Sequence, residues 1–140
     1  MTELRNRFYR VSVKALILNE TRDKFLVCKK ESGVLELPGG GLDWGTAPHQ
    51  DLPREIEEEM SIKTTHIADH PSYIITGQTL RSKTWVANVI YETTLEHLNF
   101  TPSDECTEIR FINKDTVSDL TLFPIVATSL NQFDPKNHIL

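Results

Sequence analysis

One stretch constrains this chain more than any other: LPGGGLDWGTAPHQDLPREIEEEMSI, residues 37–62. A strand-like run stops at Pro38 and three successive glycines, and a short loop then leads to a segment crowded with Arg54, Glu55, Glu57, Glu58 and Glu59. In a helix, Glu55, Glu58 and Glu59 stand at i, i+3 and i+4 and share one face. Glu55 and Glu59, four residues apart with like charge, cost an isolated helix roughly 0.2–0.5 kcal/mol. A divalent cation would turn that repulsion into attraction, because hard ions such as Mg²⁺ take carboxylate oxygens and retain sites for water and substrate phosphates. The physical expectation is an acidic metal platform beside a glycine turn that admits the close approach of another group.

The rest of the chain sets the frame. A length of 140 residues predicts a single domain, 1–140, large enough to bury a real core. The net charge of −5 argues against a nucleic-acid polymer or an anionic membrane as partner, since both require a basic face. It leaves room for a small phosphorylated ligand, because a bound metal inverts the local field. Cys28 and Cys106 are too few for a disulfide framework, and Cys28 in FLVCKK reads as a reduced core thiol. The start, MTELRNRFYR, shows no apolar signal region, and no apolar run reaches membrane-spanning length, so a cytoplasmic location is expected.

Strands are expected at Val11–Leu18, Phe25–Lys30 and Val34–Leu37, the first two as a hairpin with a longish loop. One or two further strands are expected between Lys63 and Ile75. Trp85–Tyr91, apolar on both faces, reads as a central strand with Trp85 and Tyr91 in the core. Ile109–Ile112 is a short strand, Asp115–Asp119 a turn of helix, Phe123–Phe133 a final helix with Pro124 in its first turn, and DPKNHIL a tail. Strands interleaved with two helices indicate an α/β or α+β domain with a mixed sheet.

The segment closely resembles the Nudix box, the signature of the Nudix hydrolases: G, five residues, E, seven residues, then R-E-U-x-E-E-x-G-U, with U bulky and apolar. Gly40 takes the first glycine position, and Arg54, Glu55, Ile56, Glu58, Glu59 and Ile62 match in turn. The preceding PGG, the upstream LILNETRDKFLVCKK and the late ECTEIRF also resemble the family. Thr46 stands in place of the first glutamate and Ser61 in place of the last glycine. Thr46 removes a carboxylate but can still cap the following helix. Ser61 would occupy a left-handed position that glycine fills at less cost, by about 1 kcal/mol. Pro53 falls inside a helix that starts near Ala47 or Pro48, which predicts a kink; the alternative is a helix beginning at Asp51.

The resemblance implies a Nudix-like α/β/α sandwich with a mixed β-sheet. It implies hydrolysis, with Mg²⁺ or Mn²⁺, of a nucleoside diphosphate linked to another moiety. Carried over residue by residue, Glu55, Glu58 and Glu59 would hold metal or activate water, Gly39 would offer its carbonyl, and Arg54 would orient Glu55. Glu105 is the first candidate for a further carboxylate from a late loop, with Asp104 and Glu108 behind it; the competing expectation is a solvated loop residue. Gly40, Gly41 and Trp44 are candidates for substrate contact, Trp44 by stacking on a base or, alternatively, by packing on the helix. Small Nudix proteins are often dimers, so a homodimer is compatible with the resemblance. The five histidines show no ligand spacing, and Lys29 and Lys30 could meet phosphate or simply maintain solubility. A second functional expectation keeps the fold as a nucleotide-binding or regulatory module with weak or lost catalysis; Thr46 favours it, and the intact Arg54 and glutamates favour the enzyme.

Overall fold

A computed structural model describes residues 7–79, 82–117 and 124–139. Its strands are β1 (Arg10–Leu16), β2 (Phe25–Lys29), β3 (Leu35–Glu36), β4 (Gly39–Gly41), β5 (Thr64–Ile67), β6 (Tyr73–Gln78), β7 (Trp85–Leu95) and β8 (Glu108–Ile112). The helices are α1 (Pro48–Met60) and α2 (Pro124–Gln132), followed by a 3-10 turn at Pro135–His138. One sheet runs β4-β1-β7-β5, with β6 also on β7; the other runs β3-β2-β8. The β1–β7 pair is parallel and the remaining pairs are antiparallel, so the architecture is mixed.

β1 and β2 bury residues on both faces because helices cover both. Val13, Ala15 and Ile17 of the first strand join Leu26 and Cys28 of β2 against Leu52, Ile56 and Met60 of α1. Leu16, Phe25 and Val27, pointing the other way, pack with Ile75, Ile90 and Ile112 against Val126 and Leu130 of α2. The period of two along each strand thus distributes the side chains between two cores, giving an α/β/α sandwich. Cys28 and Cys106 are free thiols buried in the first of these cores.

Several expectations change. The first two strands do not form a regular hairpin: β1 and β2 lie in different sheets, linked by an isolated bridge between Leu18 and Phe25 and the Leu26 N–H donated to the Ile17 carbonyl. Each finds longer ladders elsewhere, β1 with β7 over seven residue pairs and β2 with β8 over five. The triple glycine is not a turn but a short strand, paired antiparallel with Ser12, Val13 and Lys14. Trp85 is not core; at the start of β7 it is half-exposed and meets Tyr9 edge to face, whereas Tyr91 is buried. Residues 113–117 form a turn closed by the Asn113 and Thr116 side chains; the remainder of the expected helical turn, Val117 apart, lies outside the described residues, as does Phe123. The supposed tail is anchored: His138 is buried, stacks on Phe133, and hydrogen-bonds to Tyr73 Oη at 2.9 Å and Glu92 Oε1 at 2.7 Å.

Helix α1 begins at Pro48 and continues through Pro53, so the Asp51 start is not adopted. Its N-cap is Ala47, whose N–H donates to Gln50 Oε1 at 2.9 Å. Thr46 therefore does not cap the helix. Its hydroxyl lies 2.7 Å from Asp51 Oδ2 and 2.8 Å from the Asp43 carbonyl, tying the loop to the first helical turn. Ser61 adopts the left-handed conformation, φ 57° and ψ 37°, and its N–H closes the helix on the Glu57 carbonyl.

Candidate active site

A cavity of about 430 Å³ opens on the face of the first sheet that carries Arg10, Ser12 and Lys14. One end is acidic. Glu55 and Glu59 reach it from α1, Glu36 from β3, and Glu105 from the loop before β8; Lys14 and Lys30 stand among them.

The backbone at Gly39 and Gly40 holds this end together. Gly39 has a φ of 131°, and a Cβ there would fall 2.1 Å from the Val13 carbonyl oxygen, so no other residue fits. Its N–H donates to Glu59 Oε1 at 3.3 Å, and its carbonyl lies 3.5 Å from Lys14 Nζ. Gly40 abuts the Glu55 carboxylate, which a Cβ would meet at 2.6 Å. Three helical turns of α1 and one short strand therefore bring two glutamates against a glycine backbone, as the close-approach argument from sequence requires.

The electrostatics follow from burial. Glu59 is only 6% exposed, and burial pushes its carboxyl up to about 8; Lys14 and the Gly39 N–H pull it down, while Glu105 and Glu36 add repulsion. Burial also raises Glu55, against Arg54 and with Glu58 and Glu105. Glu36 moves the other way: burial opposes its ionisation, but Lys14 at 2.9 Å and Lys30 at 2.8 Å hold its carboxyl below the usual range.

Arg54 lies at the edge of the site. Its Nη1 donates to Glu58 Oε1 at 2.9 Å, and its Nη2 lies 3.3 Å from both Glu55 Oε1 and Asp43 Oδ2 and 3.7 Å from Asp51 Oδ1. Glu58 is more than half exposed on this outer side and does not line the cavity, whereas Glu55 and Glu59 do. Among the late-loop carboxylates, Glu105 lines the cavity; Glu108 pairs instead with Lys29 and Arg110, and the Asp104 carbonyl accepts from Glu31 N–H. Gly41 lies beneath the Arg10 guanidinium at the cavity wall. Trp44 is fully exposed and away from the cavity.

Sequence reasoning missed several residues. Lys14 is 5% exposed, and a lysine inside the apolar run VSVKALIL was itself a signal, since lysine is almost never buried without a partner. Asp51 is a buried carboxylate that accepts from the Asp43 N–H and Thr46 Oγ1, and these two bonds hold its pKa below the ordinary value. With Thr46 in the glutamate position, Asp43 and Asp51 place negative charge beside Arg54. Ser12 and Asn88, both at least nine-tenths buried, line the cavity without any sequence signal beyond their polarity in apolar strands.

The oxygen donors here, Gly39 O and the carboxylates of Glu55, Glu59 and Glu105, match a hard divalent cation in kind, and a cation would relieve the repulsion that raises Glu59 and Glu55. As the side chains stand, no three histidine, cysteine or carboxylate groups among the described residues are gathered around one point at ligand distances. The Lys14 ammonium lies between Glu36 Oε1 at 2.9 Å and the Gly39 carbonyl at 3.5 Å.

Comparison with known proteins bears on the family and the fold. The NUDIX domain family model matches residues 8–133. No curated protein matches the sequence. Among solved structures, a MutT NUDIX hydrolase from Burkholderia pseudomallei superposes with a TM-score of 0.73 at 20% identity, over 91% of this chain and 100% of that one. A NUDIX hydrolase from Nitrosomonas europaea gives 0.69 at 16% identity, over 89% and 87%. An ADP-ribose pyrophosphatase from Streptococcus suis gives 0.59 at 19% identity, over 93% and 87%. At these identities the structural likeness shows the fold alone, while the family model spans nearly the whole chain. With the glycine strand and glutamate helix joined as the signature spacing demands, the chain belongs to the Nudix family.

Proposed function

We propose that this protein hydrolyses a phosphoanhydride bond in a nucleoside diphosphate linked to another moiety, with Mg²⁺ or Mn²⁺ as cofactor. The observation that carries the reading is that Glu55, Glu59, Glu105 and Gly39 line one cavity together with Lys14 and Lys30.

Gly39 O, Glu55, Glu59 and Glu105 would hold the ion, while Glu58 stays outside the cavity on Arg54. When bound, the ion supplies neutralisation of phosphate oxygens and a more acidic water. Arg54 fixes Glu55 by a charge-assisted contact, so that this carboxylate keeps one orientation as charge develops nearby. Burial raises the Glu59 carboxyl to about 8 and the Gly39 N–H holds its Oε1; a cation in the cavity would favour its ionised form, as a carboxylate that holds metal requires. Lys30, beside Glu36, offers positive charge to a phosphate entering the cavity.

The second reading, a nucleotide-binding module with little catalysis, is favoured by Lys14, whose ammonium stands at the Gly39 carbonyl and so competes with an ion for that oxygen. Phosphate release from a panel of nucleotide-linked diphosphates, with Mg²⁺ and with chelator, separates the two. Turnover that needs the metal, is abolished in Glu59→Gln, and is unchanged or raised in Thr46→Glu supports the hydrolase. Binding of a panel member without turnover supports the module.

A further inference from the structure

The face of the first sheet turned away from the cavity is covered by α1 only in part. Helix α1 packs on β1, β4 and β5, over the half of that face that holds Val13 and Tyr91. The other half is left bare. There Tyr9 meets Trp85, which the ladder sets opposite Gln78. The next row is Val11, Ala87 and Thr76, continued past β4 by Leu42, whose N–H donates to the Val11 carbonyl. Ile74 follows one row on, opposite Val89. Alternation along the strands puts these residues on one face, opposite to Arg10, Ser12 and Asn88.

Most of the large apolar side chains exposed among the described residues gather at this stretch. Trp85 and Tyr9 are each 49% exposed, Ile74 62% and Val11 37%. Trp44, in the loop that leaves Leu42, is fully exposed, so both tryptophans of the chain face water here. At roughly 200 Å² for a whole aromatic side chain, these five present on the order of 600 Å² of apolar surface. A stable interface takes about 800 Å² from each partner, and in homodimers about 65% of it is apolar. The patch supplies that apolar share. It carries no charge, so it can meet a copy of itself without repulsion although the chain as a whole carries −5. Its two ends differ in sign. Exposed Arg7 and Lys83 stand two residues before Tyr9 and Trp85, and exposed Asp69 lies in the connection from β5 to β6, at the Ile74 end.

We propose that a second copy of this chain packs on this face, sheet against sheet, with Trp85 and Tyr9 as the anchors. The two-fold axis runs across the strands, between the two sheets, so the strands of the two copies are antiparallel. That orientation lays the Lys83 end of each copy over the Asp69 end of the other, which gives the uncharged patch an oppositely charged rim at both ends. The Tyr9 and Trp85 rings, already edge to face at 6.2 Å, form a preassembled aromatic pair of the kind that dominates interface energies. An anionic membrane is the poorer occupant, since it favours basic residues around the whole apolar face and one end here is acidic. The inference is independent of the hydrolase reading. The same strands line the cavity with their other face, through Ser12, Gly77 and Asn88, so the partner copy would back the cavity wall without entering it.

The test is sedimentation equilibrium of the intact chain over a micromolar to submillimolar series. The mass reaches twice that of the monomer at the upper end, and tryptophan emission moves to the blue over the same range as the indoles leave water. Trp85→Glu and Ile74→Lys each raise the dissociation constant about thirtyfold or more, because a two-fold interface loses each anchor twice. Both positions are solvent-exposed, so the variants keep the parental circular dichroism. Lys83→Glu weakens the dimer about threefold or more, and adding Asp69→Lys to it restores the parental constant within about twofold. A monomer throughout the series, or a dimer unchanged within threefold in folded Trp85→Glu and Ile74→Lys, would overturn the proposal. So would a charge exchange that restores nothing, or a monomer whose emission moves to the blue only on phosphatidylcholine vesicles, which would assign the face to lipid.

Discussion

On the hydrolase reading Lys14 would compete with the ion, and replacing it by methionine gives the sharpest test of that electrostatic argument. Methionine keeps most of the apolar stem and removes one ammonium from the cavity. That ammonium lies 3.5 Å from the Gly39 carbonyl oxygen, and an ion bound to that oxygen at roughly 2.1 Å would stand at most about 5.6 Å from Nζ. Repulsion between a single and a double positive charge at that separation is about 1.5 kcal/mol in bulk water and about 6 kcal/mol at an effective dielectric of about 20. Lys14 can relax toward Glu36, so the smaller figure is the working estimate, and Lys14→Met should tighten Mn²⁺ binding by about tenfold. Glu36 keeps Lys30 at 2.8 Å, so the fold should lose only about 1–3 kcal/mol, the usual range for one charged hydrogen bond. The assay is calorimetric titration with Mn²⁺ at low ionic strength, alongside Lys14→Arg, which preserves the charge and should bind like the parent. Parental affinity within twofold in a folded Lys14→Met protein would refute the claim that this lysine competes with the ion.

Other consequences are equally accessible. Glu59, raised to about 8 when folded, binds more protons in the native state than its unfolded value of 4.5 allows, so without metal the protein should lose stability as pH rises between those values. Glu59→Gln in chelator should flatten that slope and stabilise the alkaline limb by at most about 5 kcal/mol, measured by urea denaturation across pH; an unchanged slope would contradict it. Ser61→Gly should raise stability by about 0.5–1 kcal/mol, seen as a higher melting temperature, because φ at this helix end is 57°. His138→Ala should cost about 2 kcal/mol in denaturant unfolding by stripping partners from Tyr73 and Glu92. Burial of Glu92 opposes its ionisation, but the contacts of His138 and Arg22 lower its pKa, so their support is present above pH 4.5 and fades as pH falls through the lowered value.

What could be read from the sequence was whatever depended on spacing. Residues 54–60 had to be helical to bring Arg54, Glu55 and Glu59 into register with the glycines, and Ser61 had to terminate that helix in a left-handed turn. What could not be read depended on partners remote in sequence. Glycine disfavours strands, so Gly39–Gly41 looked like a turn until β1 supplied a ladder. Adjacent apolar runs suggested a hairpin because proximity in sequence is visible, while the better matches of β1 with β7 and β2 with β8 are not. An i, i+3, i+4 pattern places three glutamates on one face but does not say which of them an arginine will draw outward, and Arg54 draws Glu58. Lys14, Ser12 and Asn88 belong to the site only because two strands far apart in sequence lie side by side.

The glycine strand has a mechanical consequence. Residues that would be loop in a looser arrangement are stitched to the central sheet, so the peptide that grips Glu59 and faces Lys14 moves only when β1 moves. Accommodation of guests of different size would then fall to the parts of the lining outside the sheet, where Glu105 sits on a connecting segment and Pro124 opens a helix. Deuterium uptake should be slow at Gly39, whose amide is held by Glu59, and faster at Asp104 and Glu105, the non-proline residues of 101–107 whose amides meet no acceptor among the described residues.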